Sequence, residues 1–98
     1  MDKTINIEAL TYILNKLNVN LITEEKTDEL FEEYKKYKKA YLDMRMFDEF
    51  DKTICVDALN SFKAHLKEHP YLEGDSKDII LEKIKLVDEQ LEIATIAV

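Results

Sequence analysis

The residues with the clearest chemical potential in this sequence are lysines and tyrosines between positions 34 and 41. Four lysines occur within five residues, and tyrosines precede, interrupt and follow them. Ammonium groups attract phosphate oxygens and aromatic rings stack on bases, so a helix that carries both on one side could hold an anionic, nucleotide-like ligand. The candidate ligand-binding residues are Tyr34, Lys35, Tyr37, Lys38, Lys39 and Tyr41.

The same segment has a purely structural interpretation, which the sequence favours. Six acidic residues lie between positions 24 and 33, and Glu32 can reach Lys35 and Lys36 along a helix. Such pairs contribute about 0.2–0.5 kcal/mol each and are typical of solvated faces. The tyrosines recur at the spacing of a buried helix side, with their hydroxyl groups at its rim. Ligand binding at this segment is therefore the alternative hypothesis.

A second candidate site is a group of acidic residues beside two phenylalanines, near a predicted turn. Aromatic anchors inside a charged rim are typical of protein-binding surfaces, whereas the structural alternative is a solvated helix end. The chain has 14 basic and 21 acidic residues and a net charge of −7. This charge would steer a partner with a basic surface, and it would repel nucleic acid and anionic membranes. The candidate partner-binding residues are Asp43, Phe47, Asp48, Glu49, Phe50 and Asp51.

Patterns for catalysis and metal binding are weak in this sequence. His65 and His69 are four residues apart, as metal ligands on a helix often are, but Cys55 would lie on another side of that helix. Two ligands do not make a site. Gly74 is the one glycine of the chain, so a glycine-rich phosphate loop is excluded. We expect no enzymatic activity, no metal and no cofactor.

Helices must position these groups, and the last helix has the most regular pattern. Only Pro70 and Gly74 interrupt helical patterning, and they place a loop at residues 69–75. The sequence therefore predicts an all-α fold, a compact antiparallel bundle of three to four helices in one domain of residues 1–98, which self-association could complete. The apolar seam of the last helix consists of Ile80, Ile84, Val87, Leu91, Ala94 and Val98.

Polar residues predict where the first two helices begin and end. Asn6 would cap the first helix, and the asparagines of residues 18–20 would end it. Thr23 would cap the second helix. One helix over residues 24–68 would be about 68 Å long at ~1.5 Å per residue, too long for a domain of this size. We therefore predict a turn or a sharp kink at residues 50–53.

Apolar residues at helical spacing predict the buried sides of the first three helices. In the first helix they are Ile7, Leu10, Leu14, Leu17 and Leu21. In the second helix they are Leu30, Tyr34, Tyr37, Tyr41 and Met44, and the stripe is widened by Phe31, Leu42, Met46, Phe47 and Phe50. In the third helix they are Cys55, Leu59, Phe62 and Leu66. The cysteine is expected to be a small, buried, apolar residue.

The C-terminal turns are apolar on more than one side of the predicted helix. This pattern indicates burial on several sides, either in the core or between copies of the chain. We therefore expect a homo-oligomer. The candidate interface residues are Leu91, Ile93, Ile96 and Val98.

The location of the protein is predicted from features that the sequence lacks. A single cysteine cannot form an intramolecular disulfide, which fits a reducing compartment. The first residues lack the pattern of a secretory signal, and no stretch approaches the ~20 apolar residues of a membrane span. We expect a cytoplasmic protein.

The last quarter of the chain ends in an Ala-x-Ile-Ala-like pattern that includes Ala94, Ile96 and Ala97. This ending is similar to that of the helical-hairpin domain of phage sponge proteins, which sequester cyclic nucleotide immune signals. Leu91 and Ile93 stand where that domain has an aromatic residue and an asparagine. The resemblance therefore assigns no ligand-binding residue to this chain.

Together these patterns predict a small, acidic, non-enzymatic protein-binding module. Such a module could be an inhibitor, immunity or anti-defence factor of phage or bacterial origin that occupies a basic surface on its target. The alternative is a sponge for a nucleotide, which would bind through the Tyr/Lys helix at an oligomer interface. A structural component of an assembly is a third hypothesis.

Overall fold

The chain forms four α-helices whose apolar sides share one core. The computed structural model describes residues 3–23, 28–68 and 77–96. Within them the described residues are helical except residues 48–51, which connect α2 to α3. The predicted all-α bundle is confirmed. The helices are α1 (Lys3–Thr23), α2 (Asp28–Phe47), α3 (Lys52–Glu68) and α4 (Lys77–Ile96).

Helices α1 and α3 form the middle of the bundle. Helix α1 packs against the other three helices, whereas α2 and α4 do not approach each other within the described residues. Lys3, at the start of α1, forms an ion pair with Asp48, which follows the end of α2, so α1 and α2 run antiparallel. The molecule measures 37 × 33 × 21 Å, and its radius of gyration is 13.8 Å. Because α2 and α4 lie at the outside, each has one side that no neighbouring described helix covers.

One cluster of buried side chains joins the helices, and each helix contributes to it. The predicted stripe of α3 is confirmed, since all four of its residues are buried. The seam of α4 is confirmed from Ile80 to Ala94, while Val98 lies outside the described residues. In the predicted stripe of α1, Ile7 is only partly buried, and the other four residues are buried. The most deeply buried apolar residues are Ala9, Leu10, Ala58, Leu59, Leu66 and Val87.

The predicted cap at Asn6 is wrong, because this residue lies inside α1. Its side chain is buried, and its amide nitrogen Nδ2 donates a hydrogen bond to Oε1 of Gln90 on α4, over 3.3 Å. Asparagine favours caps because its side chain can bond to nearby backbone groups. Here the side chain bonds to a residue that is 84 positions away in the chain. A contact at that distance is not visible in the local sequence pattern.

The predicted end of the first helix is also wrong. Helix α1 continues through residues 18–20 and ends at Thr23, and the predicted cap of the second helix by the Thr23 side chain lies outside what the structure describes. Leu17 and Leu21 are buried one turn apart on either side of the asparagines. Because burial of two leucines outweighs the weak helix propensity of asparagine, packing keeps this segment helical.

The predicted break between the second and third helices is confirmed, and it begins two residues earlier than predicted. Asp48 has a φ angle of 53°, a left-handed conformation that commonly ends a helix. The N–H of Glu49 donates to the carbonyl oxygen of Asp43 over 3.1 Å, which folds the chain back over the end of α2. Asp51 caps α3, since its Oδ1 accepts a hydrogen bond from the N–H of Ile54 over 3.1 Å.

The predicted widening of the stripe on α2 is wrong for four of its five residues. Tyr37, Ala40 and Met44 form the buried side of the helix. Leu42 and Met46 are each two residues from Met44, which places them about 160° around the helix from it. They therefore point to solvent, and of the five only Phe50 packs partly against the core. The four exposed residues are Phe31, Leu42, Met46 and Phe47.

Candidate functional site

The exposed side of α2 carries a groove that combines lysines with large apolar side chains. Its volume is about 430 Å³, and every described residue that lines it belongs to α2. The lining residues form two neighbouring rows in which successive members are four positions apart. We call this feature the α2 groove. One row is Tyr34, Lys38, Leu42 and Met46, and the other is Lys35, Lys39, Asp43 and Phe47.

The apolar end of the α2 groove is exposed to solvent. Met46 is 68% exposed and Phe47 is 65% exposed, while Leu42 is 40% exposed. Large apolar side chains that stand together in water are characteristic of interaction surfaces, whereas single ones are ordinary. This group makes the end of α2 a candidate interaction surface.

The lysines at the other end of the groove take part in weak local contacts. Lys39 forms an ion pair with Asp43 over 2.7 Å, and this hydrogen bond raises the pKa of the lysine. Lys35 lies 3.4 Å from the carboxylate of Glu32. Lys38 lies 5.6 Å from the ring centroid of Tyr41. Exposed pairs of this kind contribute about 0–1 kcal/mol, so an incoming carboxylate or phosphate could replace them at small cost.

The three candidate tyrosines have different environments. Tyr34 is partly buried and lines the groove. Tyr37 is 7% exposed and belongs to the core. Burial raises its pKa, and the nearby charges of Asp57 and Glu33 add to that shift. The hydroxyl of Tyr41 accepts a hydrogen bond from Arg45 over 2.7 Å. Of the candidate rings, only that of Tyr34 lines the α2 groove.

The candidate acidic residues are mostly used in contacts within the chain. Asp43 bonds to Lys39, Asp48 pairs with Lys3, and Asp51 caps α3. Glu49 is exposed beside them. Of these acidic residues Asp43 lines the α2 groove, and Asp48 and Glu49 follow Phe47 directly in the chain. Phe47 is exposed, and Phe50 is turned partly into the core. A partner with a basic surface stays a prediction.

The candidate oligomer interface on α4 is divided between core and surface. Leu91 is partly buried and packs against the core, whereas Ile93 is 47% exposed. The side chain of Ile96 and the whole of Val98 lie outside the described residues. Ile93 is therefore the interface candidate that the described surface presents to solvent.

A smaller groove between α1 and α3 contains the first candidate metal ligand. His65 lines this groove of about 340 Å³ and stacks on Tyr12 with ring centroids 4.5 Å apart. His69 lies outside the described residues. In the described part of the chain, no three His, Cys, Asp or Glu residues are grouped as a metal site would need.

The sequence pattern did not predict the α2 groove, because Leu42 and Met46 fit the widened buried stripe of α2. Their angular distance from Met44 is visible in the sequence, since each residue of a helix turns by about 100°. That measurement would have placed both residues beside Lys35 and Lys38 on the outer side of the helix. The lysines stay candidate ligand-binding residues, and Phe47, which the sequence assigns to the acidic candidate surface, lies in the same groove.

Comparisons with known proteins add no family to this geometry. No family model matches the chain, and no curated protein and no solved structure is significantly similar to it. Among the described helices, none is both long enough and apolar enough to cross a bilayer.

Proposed function

We propose that this protein is a non-enzymatic, cytoplasmic module that binds another protein through the α2 groove. The observation that carries the proposal is the exposed group of Leu42, Met46 and Phe47 at one end of that groove. Burying a side chain of this size contributes about 1.5–3 kcal/mol, so three of them can anchor a partner. Aromatic and methionine residues are also enriched in the centres of interfaces.

The surroundings of the apolar group support a specific interface. Charged and polar groups surround the apolar side chains, as a rim surrounds the centre of a binding site. The net charge of −7 would attract a target whose overall surface is basic before contact is made. A module of this kind acts by occupying the surface of its target, as an inhibitor or immunity protein does.

Site-specific photo-cross-linking tests this function. A photoreactive phenylalanine analogue at position 46 should form a covalent product with one partner in an extract of the host cell. The matched control is the same analogue at Asn60, an exposed position on α3. We expect the product at position 46 only, and we expect Leu42→Lys to abolish it while helix content stays unchanged. Identical products at both positions, or no product at either, would reject the proposal.

A nucleotide is the second candidate for the same groove. Ammonium groups and an aromatic ring beside one another could bind a phosphate and stack on a base. Lys35, Lys38 and Lys39 line one end of the groove beside the ring of Tyr34. Calorimetry with cyclic and linear nucleotides should then give heat that Lys35→Glu with Lys39→Glu removes. No heat with the wild-type protein rejects this candidate.

A further inference from the structure

The lining of the α2 groove has the geometry that helices use to pack against one another. In each of its two rows, successive residues are four positions apart. Side chains at this spacing form ridges on a helix surface, and a groove lies between neighbouring ridges. A ridge of the same kind on a second helix fits such a groove, at an axial distance of about 8–10 Å. The other side of α2 already packs on the bundle through Tyr37, Ala40 and Met44. The groove is therefore a second packing side of the same helix.

The two ends of the groove differ in chemistry, and this difference defines what can fill it. Lys35, Lys38 and Lys39 lie toward the start of α2, and Leu42, Met46 and Phe47 lie toward its end. Asp43 is the one acidic residue in the described lining, and Lys39 already neutralises it. A ridge with a carboxylate at one end and a large apolar side chain one or two turns away would complement both ends.

We propose that the α2 groove binds an amphipathic helix of a partner protein whose docking ridge carries Asp or Glu at the lysine end and large apolar side chains at the Met46 and Phe47 end. This inference rests on the proposed function and adds the chemical class of the docking segment. Charge complementarity argues for it. Lys35 and Lys39 pair weakly with Glu32 and Asp43, and Lys38 lies over the ring of Tyr41. A basic ridge would bring its own cations against Lys38 and these two paired lysines, and like charges across an interface lower affinity.

A second copy of the chain fits the groove less well than a partner helix. Two α2 helices that pack in parallel through their grooves would bring lysines against lysines. Packed antiparallel, they would bring each lysine end against an apolar end, where no carboxylate of a docking ridge would meet the lysines. A different surface of a second copy would form a head-to-tail contact, which continues into rings or filaments. The occupant we infer is therefore a different protein.

Two synthetic helical peptides test the inference directly. In the first peptide, one ridge carries Glu at two positions. Further along the same ridge, Leu follows after one turn and Phe after two turns. The second is identical except that Lys replaces each Glu. Binding is measured by fluorescence anisotropy at about 0.15 M salt, where the screening length of about 8 Å leaves mainly contact-range charges. We expect the Glu peptide to bind the wild-type protein about tenfold more tightly than the Lys peptide, which corresponds to about 1.4 kcal/mol.

Charge-reversed variants localise that preference to the groove. Lys35→Glu with Lys38→Glu should reverse it, and the control Lys67→Glu with Lys85→Glu, on exposed positions of α3 and α4, should leave it unchanged. Equal binding of both peptides, or an unchanged preference in the groove variant, would overturn the inference. Self-association that the groove variant abolishes would also overturn it, because a second copy would then be the occupant.

The outcome for the docking segment can be separated from that for the proposed function. If a partner cross-links through position 46 but neither peptide shows the charge preference, the protein-binding function stands and the acidic ridge is wrong. If the Glu peptide binds selectively but no partner cross-links, the charge selectivity of the groove stands and the proposed function is wrong.

Discussion

At the scale of single residues, two buried groups hold their protons more tightly than in water. Burial of Cys55, which is 1% exposed, raises the pKa of its thiol from the ordinary value of 9.0 to about 11, and the charge of Asp51 acts in the same direction. Burial also raises the pKa of the Tyr37 hydroxyl. The sequence predicted Cys55 as a buried apolar residue, and this prediction is confirmed. Its thiol is protonated at neutral pH and is a poor nucleophile.

These raised pKa values predict that the protein loses stability in alkaline solution. In the range where the unfolded chain has released these protons, the folded chain still binds them, so unfolding becomes more favourable as pH rises. For Cys55 the stabilisation is complete below pH 9 and is lost as pH rises through about 11. We expect the urea midpoint to fall between these values, and to fall less in Cys55→Ala. Equal declines in Cys55→Ala, Tyr37→Phe and the wild type would contradict the assignment.

Phenylalanine substitutions distinguish the exposed group from the core. Phe47 is 65% exposed, so Phe47→Ala should change the free energy of unfolding by about 0.5 kcal/mol or less. Phe62 is 3% exposed and packs against Tyr12, so Phe62→Ala should cost about 3–5 kcal/mol. Chemical denaturation of both variants measures the difference. A large loss of stability in Phe47→Ala would show that this ring packs in the core, and the proposed binding surface would then lose its anchor.

At the scale of elements, the sequence predicted packing better than it predicted helix ends. The seams of α3 and α4 were found because apolar residues at helical spacing report directly on a buried side. The ends of α1 were missed because Asn6 is held by Gln90 from another helix and because Leu17 and Leu21 keep the asparagine segment helical. The lysines of α2 stand out in the composition of the sequence, whereas the apolar residues that line a groove with them depend on which side of α2 faces the bundle. Tertiary contacts decide these features, and a single sequence shows them only in part.

Two substitutions in the turn between α2 and α3 should change the free energy of unfolding in opposite directions. Asp51→Ala removes the side chain that accepts the N–H of Ile54, so it should lower the free energy of unfolding by about 0.5–2 kcal/mol. Asp48→Gly relieves a left-handed backbone conformation that disfavours residues with a Cβ, and should raise stability by up to about 1 kcal/mol. The substitution also removes the ion pair of Asp48 with Lys3, but an exposed pair of this kind contributes only about 0–1 kcal/mol to stability. Thermal unfolding of both variants checks the signs, and destabilisation by Asp48→Gly would mean that the ion pair outweighs the backbone effect.

At the scale of the whole molecule, the arrangement of helices separates two outer surfaces. Helices α2 and α4 lie on different sides of the α1 and α3 pair, so the α2 groove and the exposed part of α4 do not meet within the described residues. The α2 surface combines lysines with apolar residues in a chain whose net charge is −7. The described α4 surface instead exposes Ile79, Leu81 and Ile93. One molecule could therefore bind a partner through α2 and a second copy through α4 at the same time.

Self-association through α4 is the prediction that separates these surfaces. We expect light scattering on a gel-filtration peak to give the mass of a dimer or a larger oligomer. Ile93→Glu should produce monomers with unchanged helix content, because its side chain is 47% exposed and is not required by the core. Leu91→Asp should instead unfold the protein, because Leu91 packs against the core and an unpaired charge there is costly. Lys35→Glu with Lys38→Glu should leave the oligomer intact, since both lysines lie on α2. A monomeric wild-type protein at high concentration would refute the α4 interface, and the peptide preference of the α2 groove would be unaffected by that result.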